Sequence, residues 1–444
     1  MAEVIDKAKA ARRAATDIST MDIEQRNGAL KAMADAIWRN RVSLVEANRK
    51  DLAVAKVLIN KGEIRQAVVQ RLKLDLNKVQ SVVDMVRSVA DLEDPVGRTL
   101  YAKELDEGLE LYRVSSPLGV VGVVFESRPD ALPQIASLCL KSGNAVLMKG
   151  GSETKHSNQA LFSVIKEATE EAGAPEDWIQ LLEAREEVVK LLSLHEYVDL
   201  IVPRGSNNFV RYIQSNTKIP VLGHSDGVCQ IYVDSYADQG KAVEVCLDAK
   251  VQYPSVCNAV DAILVHKEIY ATFLPKLVQR LVGAGVEVRG CPVTVELLGD
   301  EVKQATDHDW GHEYLDYIVA VRVVDSLDEA IEYVNTFGSH HTDAIITEDR
   351  AAAIRFLGKV DSANVFWNAS TRFSDGYRYG LGAEVGISTA KIHARGPTGL
   401  EGLTIYKYLL LGRGQTVGPY AGKNRKSFTH RKIDGKWARR AHEW

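Results

Sequence analysis

From Leu118 onward the chain alternates short apolar runs with amphipathic stretches, and this alternation restricts the available folds more than any other feature. Residues 120–124, 145–148, 198–202 and 230–233 read as strands, with helices around 131–141, 157–172 and 206–215 between them. A second set begins near 239, with a helix ending near Lys250, a strand at 262–265 and a helix at 267–284. It continues with strand 318–324, helix 327–336, strand 344–347, helix 350–358 and strand 363–367. Strands separated by helices in this way are the signature of a parallel, doubly wound sheet. At 444 residues the chain exceeds the size at which one core keeps growing. Two α/β domains are therefore expected, with a boundary near 222–240.

The flanks read differently. Residues from about 3 to 95 are helical in pattern: Leu30, Met33, Ala34, Ile37 and Trp38 recur at helical spacing, with Thr20 or Asp22 as N-cap. Val82, Val83, Val86 and Val89 predict a further helix ending near the Asp94-Pro95 break. Loose alternation over 101–116 predicts a hairpin and its exit strand. Beyond Leu411 the tail carries Arg413, Lys423, Arg425, Lys426, Arg431, Lys432, Lys436, Arg439 and Arg440 against Asp434 and Glu443. Such a basic extension reads as solvated or docking, not as a nucleic-acid site.

Composition excludes several classes. With 45% hydrophobic and 26% charged residues the chain is an ordinary globular protein, and a net charge of −4 disfavours nucleic acid as its main partner. Charges at Glu3, Asp6 and Lys7 stand where a signal peptide needs an apolar core, and no stretch approaches the length of a membrane span. The five cysteines (Cys139, Cys229, Cys246, Cys257 and Cys291) are scattered, with no Cys-x-x-Cys pair. That pattern fits a reducing cytoplasm and argues against a disulfide framework and against a zinc site.

One cysteine is placed differently from the rest. Tyr253-Pro254-Ser255-Val256-Cys257-Asn258-Ala259 is a polar, small-residue turn just before an apolar strand, which gives Cys257 access to a cleft. A thiolate there attacks an acyl carbon and holds it as a thioester. Around 199–208 an apolar strand runs into Arg204-Gly205-Ser206-Asn207, a turn and helix start whose free N–H groups suit a pyrophosphate. The strand ending at Met148-Lys149 is followed by Gly150-Gly151-Ser152. Ser370-Thr371-Arg372 joins hydroxyls to a forked cation that suits a carboxylate or phosphate. Arg128, at another strand end, is a second anion-binding candidate. His224 is a candidate base, or a satisfied turn histidine. His340 and His341 are adjacent, a spacing that does not place both on one metal. No suitable Gly-x-Gly-x-x-Gly fingerprint is present, which disfavours an ordinary Rossmann dehydrogenase.

Taken together, Glu126-Ser127-Arg128-Pro129, Pro254 to Ala259, Ser339-His340-His341-Thr342-Asp343-Ala344-Ile345 and Asn368 to Phe373 are distinctive. With Gly380-Leu381-Gly382-Ala383-Glu384-Val385 and His393-Ala394-Arg395-Gly396-Pro397, they closely resemble the gamma-glutamyl phosphate reductase family of the aldehyde dehydrogenase superfamily. The resemblance covers about residues 5 to 412 and extends to the reductase half of bifunctional pyrroline-carboxylate synthases. It implies an aldehyde dehydrogenase-like α/β fold: two doubly wound α/β domains plus a small β oligomerisation flap. The implied divisions are 1–223 for NADP binding (including a flap hairpin near 101–115), 224–402 for catalysis, 403–412 for a flap strand and 413–444 for the tail.

The resemblance also implies roles. Cys257 becomes the nucleophile, with Lys149, Gly151, Ser152, Gly205 and Ser206 around NADPH or NADP and Glu313 at the nicotinamide ribose. Arg128, Asn258, Ser370, Thr371 and Arg372 become the substrate contacts. No metal, nucleic acid or membrane is implied. The expected partners are a small-molecule substrate, further copies of the chain, and glutamate 5-kinase as a candidate, in the cytoplasm. The implied reaction is reduction of L-glutamyl 5-phosphate by NADPH, within proline biosynthesis. Hydrolytic relatives carry a glutamate base where this chain reads Leu222-Gly223-His224-Ser225, and an oxyanion asparagine where it reads Glu126-Ser127-Arg128. Two alternatives stay open: a hydrolytic or CoA-acylating aldehyde dehydrogenase on the same scaffold, and a cofactor-binding scaffold protein with an inert cysteine.

Overall fold

The computed structural model describes residues 2–437 except 62–68, 70, 127, 185 and 225. Ser127, Ser225 and the last part of the basic tail, 438–444, therefore lie outside the described residues. The N-terminal segment forms helices Ala2–Ile18, Ile23–Arg39, Arg41–Asn60 and Leu76–Asp91. Asp22, not Thr20, caps the second of these. Its carboxylate accepts from the Gln25 N–H at 2.8 Å and its own N–H donates to Gln25 Oε1 at 2.9 Å, so two end groups satisfy each other. Val79, Val82, Val83, Val86 and Val89 form the buried face of the fourth helix and pack with Leu30, Met33 and Ile37.

A hairpin of β1 (Thr99–Asp106) and β2 (Leu109–Pro117) leads into a parallel sheet. That sheet holds β3 (Val120–Phe125), β4 (Ala145–Lys149), β5 (Ile179–Leu182) and β6 (Leu200–Arg204), in the order β5-β4-β3-β6. Side chains of β3 alternate between two cores. Val121, Val123 and Phe125 join the N-terminal helices, whereas Val120 and Val124 join Val4, Ala8 and Ala11 on the other face. With both faces covered the strand reads as an unbroken apolar run.

The second sheet contains β7 (Cys229–Val233), β8 (Val260–His266), β9 (Glu287–Gly290), β10 (Lys303–Gln304), β11 (Ile318–Val324), β12 (Thr342–Ile346) and β13 (Asn364–Trp367). All its pairs are parallel, in the order β10-β9-β11-β8-β7-β12-β13. The strand at 230–233, which the sequence pattern groups with the first set, belongs here: β7 lies between β8 and β12. Alternation along the chain gives strand order in sequence, not which sheet closes around each strand. Three short strands of the two parallel sheets, β5, β9 and β10, with 4, 4 and 2 residues, escape the pattern.

A small pair, β14 (Gly386–Ser388) and β15 (Gly396–Thr398), follows. Ala383, Val385, Leu400 and Leu403 then pack back into the core of the first sheet. Next, β16 (Thr404–Leu411) adds to β2, and β17 (Arg431–Lys432) adds to β1, giving an antiparallel sheet in the order β16-β2-β1-β17. The basic tail thus returns to the hairpin, although nearly all of its described residues are exposed. Tyr420 donates to Asp106 at 2.6 Å, Lys426 pairs with the same carboxylate, and the Trp437 ring lies 5.9 Å from Tyr112. No described helix is long and apolar enough to cross a membrane.

Candidate active site

The site candidates meet at a seam between the sheets. The first sheet contributes the C-terminal ends of its strands: Glu126 after β3, Lys149 to Gly151 at β4, and Arg204 to Ser206 at β6. The second contributes N-terminal ends: Cys229 opens β7, Cys257 and Asn258 precede β8, His341 precedes β12, and Asn364 opens β13. Several contacts cross the seam. Asn207 Nδ2, in the first turn of helix Asn207–Ser215, donates to Glu313 Oε2 at 2.8 Å and to Asp226 Oδ1 at 3.0 Å. The Asp226 carboxylate also takes Arg211 at 2.5 Å.

Cys257 is the one cysteine of the five that is not buried. Its turn passes so close to Gly227 that a Cβ there would fall 2.5 Å from Cys257 Cβ, so only glycine fits. The thiol is pushed up to about 12, chiefly because protein atoms surround the sulfur, with the Glu313 and Glu384 carboxylates adding and Arg372 opposing. At neutral pH Cys257 is therefore a thiol whose activation needs a proton acceptor.

Two imidazoles stand ready for that. Donor atoms of His224, Cys257 and His341 all lie within 4.8 Å of one another, and the two rings meet edge-on with centroids 4.8 Å apart. His224 Nδ1 lies 2.7 Å from the Ile387 carbonyl, which only accepts, so Nδ1 carries the proton and Nε2 the lone pair. A longer chain fixes His341. Ser374 Oγ donates to the Thr371 carbonyl, and Thr342 Oγ1 donates to Ser374 Oγ. Thr342 Oγ1 therefore accepts from His341 Nδ1 at 2.9 Å. His341 Nε2 is buried and has no hydrogen-bond partner among the described residues. Burial lowers the pKa of both rings and keeps them neutral. His340 turns away, with Nδ1 2.7 Å from the Asp361 carbonyl.

The substrate candidates divide. Ser370, Thr371 and Arg372 are buried, and Ser370 accepts from the Arg372 N–H at 3.3 Å. Arg372 Nε donates to Gln252 Oε1 at 2.9 Å, and its charge favours the Cys257 thiolate. Asn258 Nδ2 donates to the Ser374 carbonyl at 2.9 Å, while Asn258 Oδ1 and Thr371 Oγ1 are buried without a partner among the described residues. Arg128 is different: its side chain is 51% exposed and its nearest acid is Asp130, at 3.9 Å.

Two charged groups of the seam escaped sequence reasoning. Arg204 donates to Gln134 Oε1 at 3.0 Å, and its pKa is lowered to about 10 by burial, with Arg128 adding. Glu384 accepts from the Gly376 N–H at 2.9 Å and is raised by burial. The position of Arg204 at a strand end just before Gly205 was the available signal.

Around the first sheet, Lys149 Nζ donates to the Gly150 carbonyl at 2.5 Å, and Ser152 is exposed. Gly205 and Ser206 are also exposed, but the Ser206 N–H donates to Glu126 Oε2 at 2.9 Å. A carboxylate thus already occupies the helix-start donor that the sequence assigned to a pyrophosphate. A Cβ on Gly205 would fall 2.6 Å from that oxygen. Glu313, pushed up chiefly by burial, joins this region to Cys257.

Comparison with known proteins identifies the family. The model of the aldehyde dehydrogenase family matches residues 1–289. The gamma-glutamyl phosphate reductase of Natronomonas pharaonis is 55% identical over 432 residues, covering 97% of this chain and 98% of the relative. That of Methanosarcina mazei is 52% identical, covering 98% of each. The crystal structure of gamma-glutamyl phosphate reductase from Thermotoga maritima superposes with a TM-score of 0.90 at 40% identity, over 93% of this chain and 99% of that one. An acetylating aldehyde dehydrogenase from Geobacillus thermoglucosidasius shares the fold alone, at 17% identity and a TM-score of 0.64, over 94% of this chain and 97% of that one. Sequence and fold lead to one assignment: the chain is an oxidoreductase that belongs to the aldehyde dehydrogenase family, in its gamma-glutamyl phosphate reductase branch.

Proposed function

We propose that the protein reduces L-glutamyl 5-phosphate to L-glutamate 5-semialdehyde with NADPH, releasing phosphate, through a thioester on Cys257. The observation that carries the reading is that Cys257 alone of the five cysteines is partly exposed, at the seam, while the other four are buried. The residues fit a nicotinamide dinucleotide provided that Glu126 gives up the Ser206 N–H it now accepts from. Gly205 and Ser206 leave the end of β6 without a bulky side chain, Lys149 and Ser152 stand at the end of β4, and Glu313 accepts from Asn207 while its charge acts on the thiol. When bound, NADPH supplies the hydride that reduces the thioester.

The chain's own groups carry the remaining work. The lone pair on Nε2 of His224 or His341 takes the Cys257 proton, and the sulfur attacks the acyl carbon. The carbon–oxygen bond to phosphate breaks and phosphate leaves. Asn258 Oδ1 and the Thr371 hydroxyl, buried and unpartnered among the described residues, are the partners for the substrate ammonium and carboxylate, and Arg372 supplies the forked cation. The Cys257 N–H donates to the oxyanion. After reduction the carbon–sulfur bond breaks and the thiolate recovers its proton.

The test is NADPH formation from semialdehyde and NADP with and without phosphate, with glutamate measured directly. The expected outcome is turnover only with phosphate or arsenate, lost in Cys257→Ala while NADPH binding persists. Rapid phosphate-independent glutamate formation would overturn it and make the protein a hydrolytic dehydrogenase. CoA-dependent turnover would make it an acylating one.

A further inference from the structure

The cluster of His224, Cys257 and His341 has a second chemical capacity, which needs no substrate. Both imidazoles are neutral, the Ile387 carbonyl and the Thr342-Ser374-Thr371 chain pin their Nδ1–H groups so that each lone pair sits on Nε2, and one nitrogen of each ring lies within 4.8 Å of the Cys257 sulfur. Outer hydrogen bonds of this kind orient the histidines of protein zinc sites. Glu313 and Glu384 place negative charge around the same sulfur. We propose that His224, His341 and Cys257 form a binding site for a soft divalent cation of the zinc class, whose occupation reversibly blocks the thiol.

The geometry allows it with small movements. Zinc–nitrogen bonds of about 2.0–2.1 Å and zinc–sulfur bonds of about 2.3 Å place tetrahedral donors roughly 3.4–3.6 Å apart. Donors that now lie within 4.8 Å of one another close by up to about 1.4 Å on that basis. His341 is fully buried and held, so the movement falls on Cys257 and His224, both partly exposed. Three protein donors leave a fourth position to water, the pattern of an open zinc site. Two imidazoles and a thiolate select zinc, cadmium or copper over magnesium or calcium. Binding converts the Cys257 S–H to a metal-bound thiolate and releases one proton to solvent, so affinity rises with pH. None of this depends on which acyl substrate the enzyme reduces.

The experiment uses the full chain, freed of metal with a chelator and titrated with zinc, then with cobalt as a spectroscopic substitute. We expect one zinc ion per chain by elemental analysis and a thiolate-to-cobalt charge-transfer band. Zinc should slow alkylation of Cys257 by iodoacetamide at least tenfold, and a chelator should restore it. Cys257→Ser removes the charge-transfer band and weakens zinc at least tenfold, as does His224→Asn. The latter variant lies at a partly exposed position and avoids the folding risk of replacing His341. Zinc affinity unchanged in both variants, or no stoichiometric binding by the unmodified chain, overturns the proposal whatever the catalytic assays show.

Discussion

Replacing Arg372 with lysine separates two jobs that the structure gives one side chain. Arg372 is only 6% exposed, donates from Nε to Gln252 at 2.9 Å, and lends positive charge to Cys257. Arg372→Lys keeps the charge and loses the fork. A hydrogen bond to a charged group is worth about 1.5–3 kcal/mol net, which at 1.4 kcal/mol per factor of ten is about 10- to 150-fold in binding. The substrate KM should rise by that factor in the phosphate-dependent oxidation of semialdehyde, followed as NADPH formation, with the NADP KM nearly unchanged. The thiol provides an internal control. Alkylation of Cys257 by iodoacetamide should keep its pH dependence in Arg372→Lys and shift to higher pH in Arg372→Met, which lacks the charge. An unchanged substrate KM in the lysine variant would refute the reasoning and return Arg372 to a structural role.

Other outcomes are expected. Because the Cys257 thiol is pushed up to about 12, its alkylation rate should rise roughly tenfold per pH unit through the neutral range; a plateau near pH 7 contradicts this reading. Ser152 stands exposed near Lys149, so Ser152→Glu should move the cofactor preference from NADP toward NAD by about tenfold, ~1.4 kcal/mol, and equal use of both cofactors by the unmodified protein argues against the assignment. Lys250 and Asp261 form a buried pair at 3.4 Å, with Asp261 also accepting from the Tyr314 N–H beside Glu313. Lys250→Met strands that carboxylate and should destabilise the protein by about 3–5 kcal/mol in denaturant unfolding, whereas adding Asp261→Leu should recover most of the loss.

Local pattern was enough to reveal most of the secondary structure. The apolar runs at β3, β4 and β8, the valine face of helix Leu76–Asp91 and the capping residue Asp22 are each specified within a few residues. The turn that exposes Cys257 is equally local, because Pro254, Ser255 and Asn258 cannot continue the apolar strand behind them. Motif resemblance supplied the family and the substrate candidates, of which Arg372 and Asn258 lie near Cys257 in the fold. It gave no warning that Arg128 would lie half exposed or that Glu126 would occupy the Ser206 donor.

What only tertiary structure decided is which distant residues share a space. His224 precedes β7, Cys257 precedes β8 and His341 precedes β12, 117 residues apart from first to last. Parallel strands set side by side bring those N-terminal ends together, and nothing in their spacing along the chain encodes it. The same holds for β7, which looks in sequence like one more strand of the first set and finds its partners in the second. Strand neighbours are chosen by the burial of whole sheet faces, a global property, whereas helix caps and turns are chosen by the few atoms they satisfy. Sequence therefore determined most of the elements and the candidate nucleophile. The packing of two sheets across a seam decided what surrounds that nucleophile, because proton acceptors, carboxylates and arginines act through distance in space.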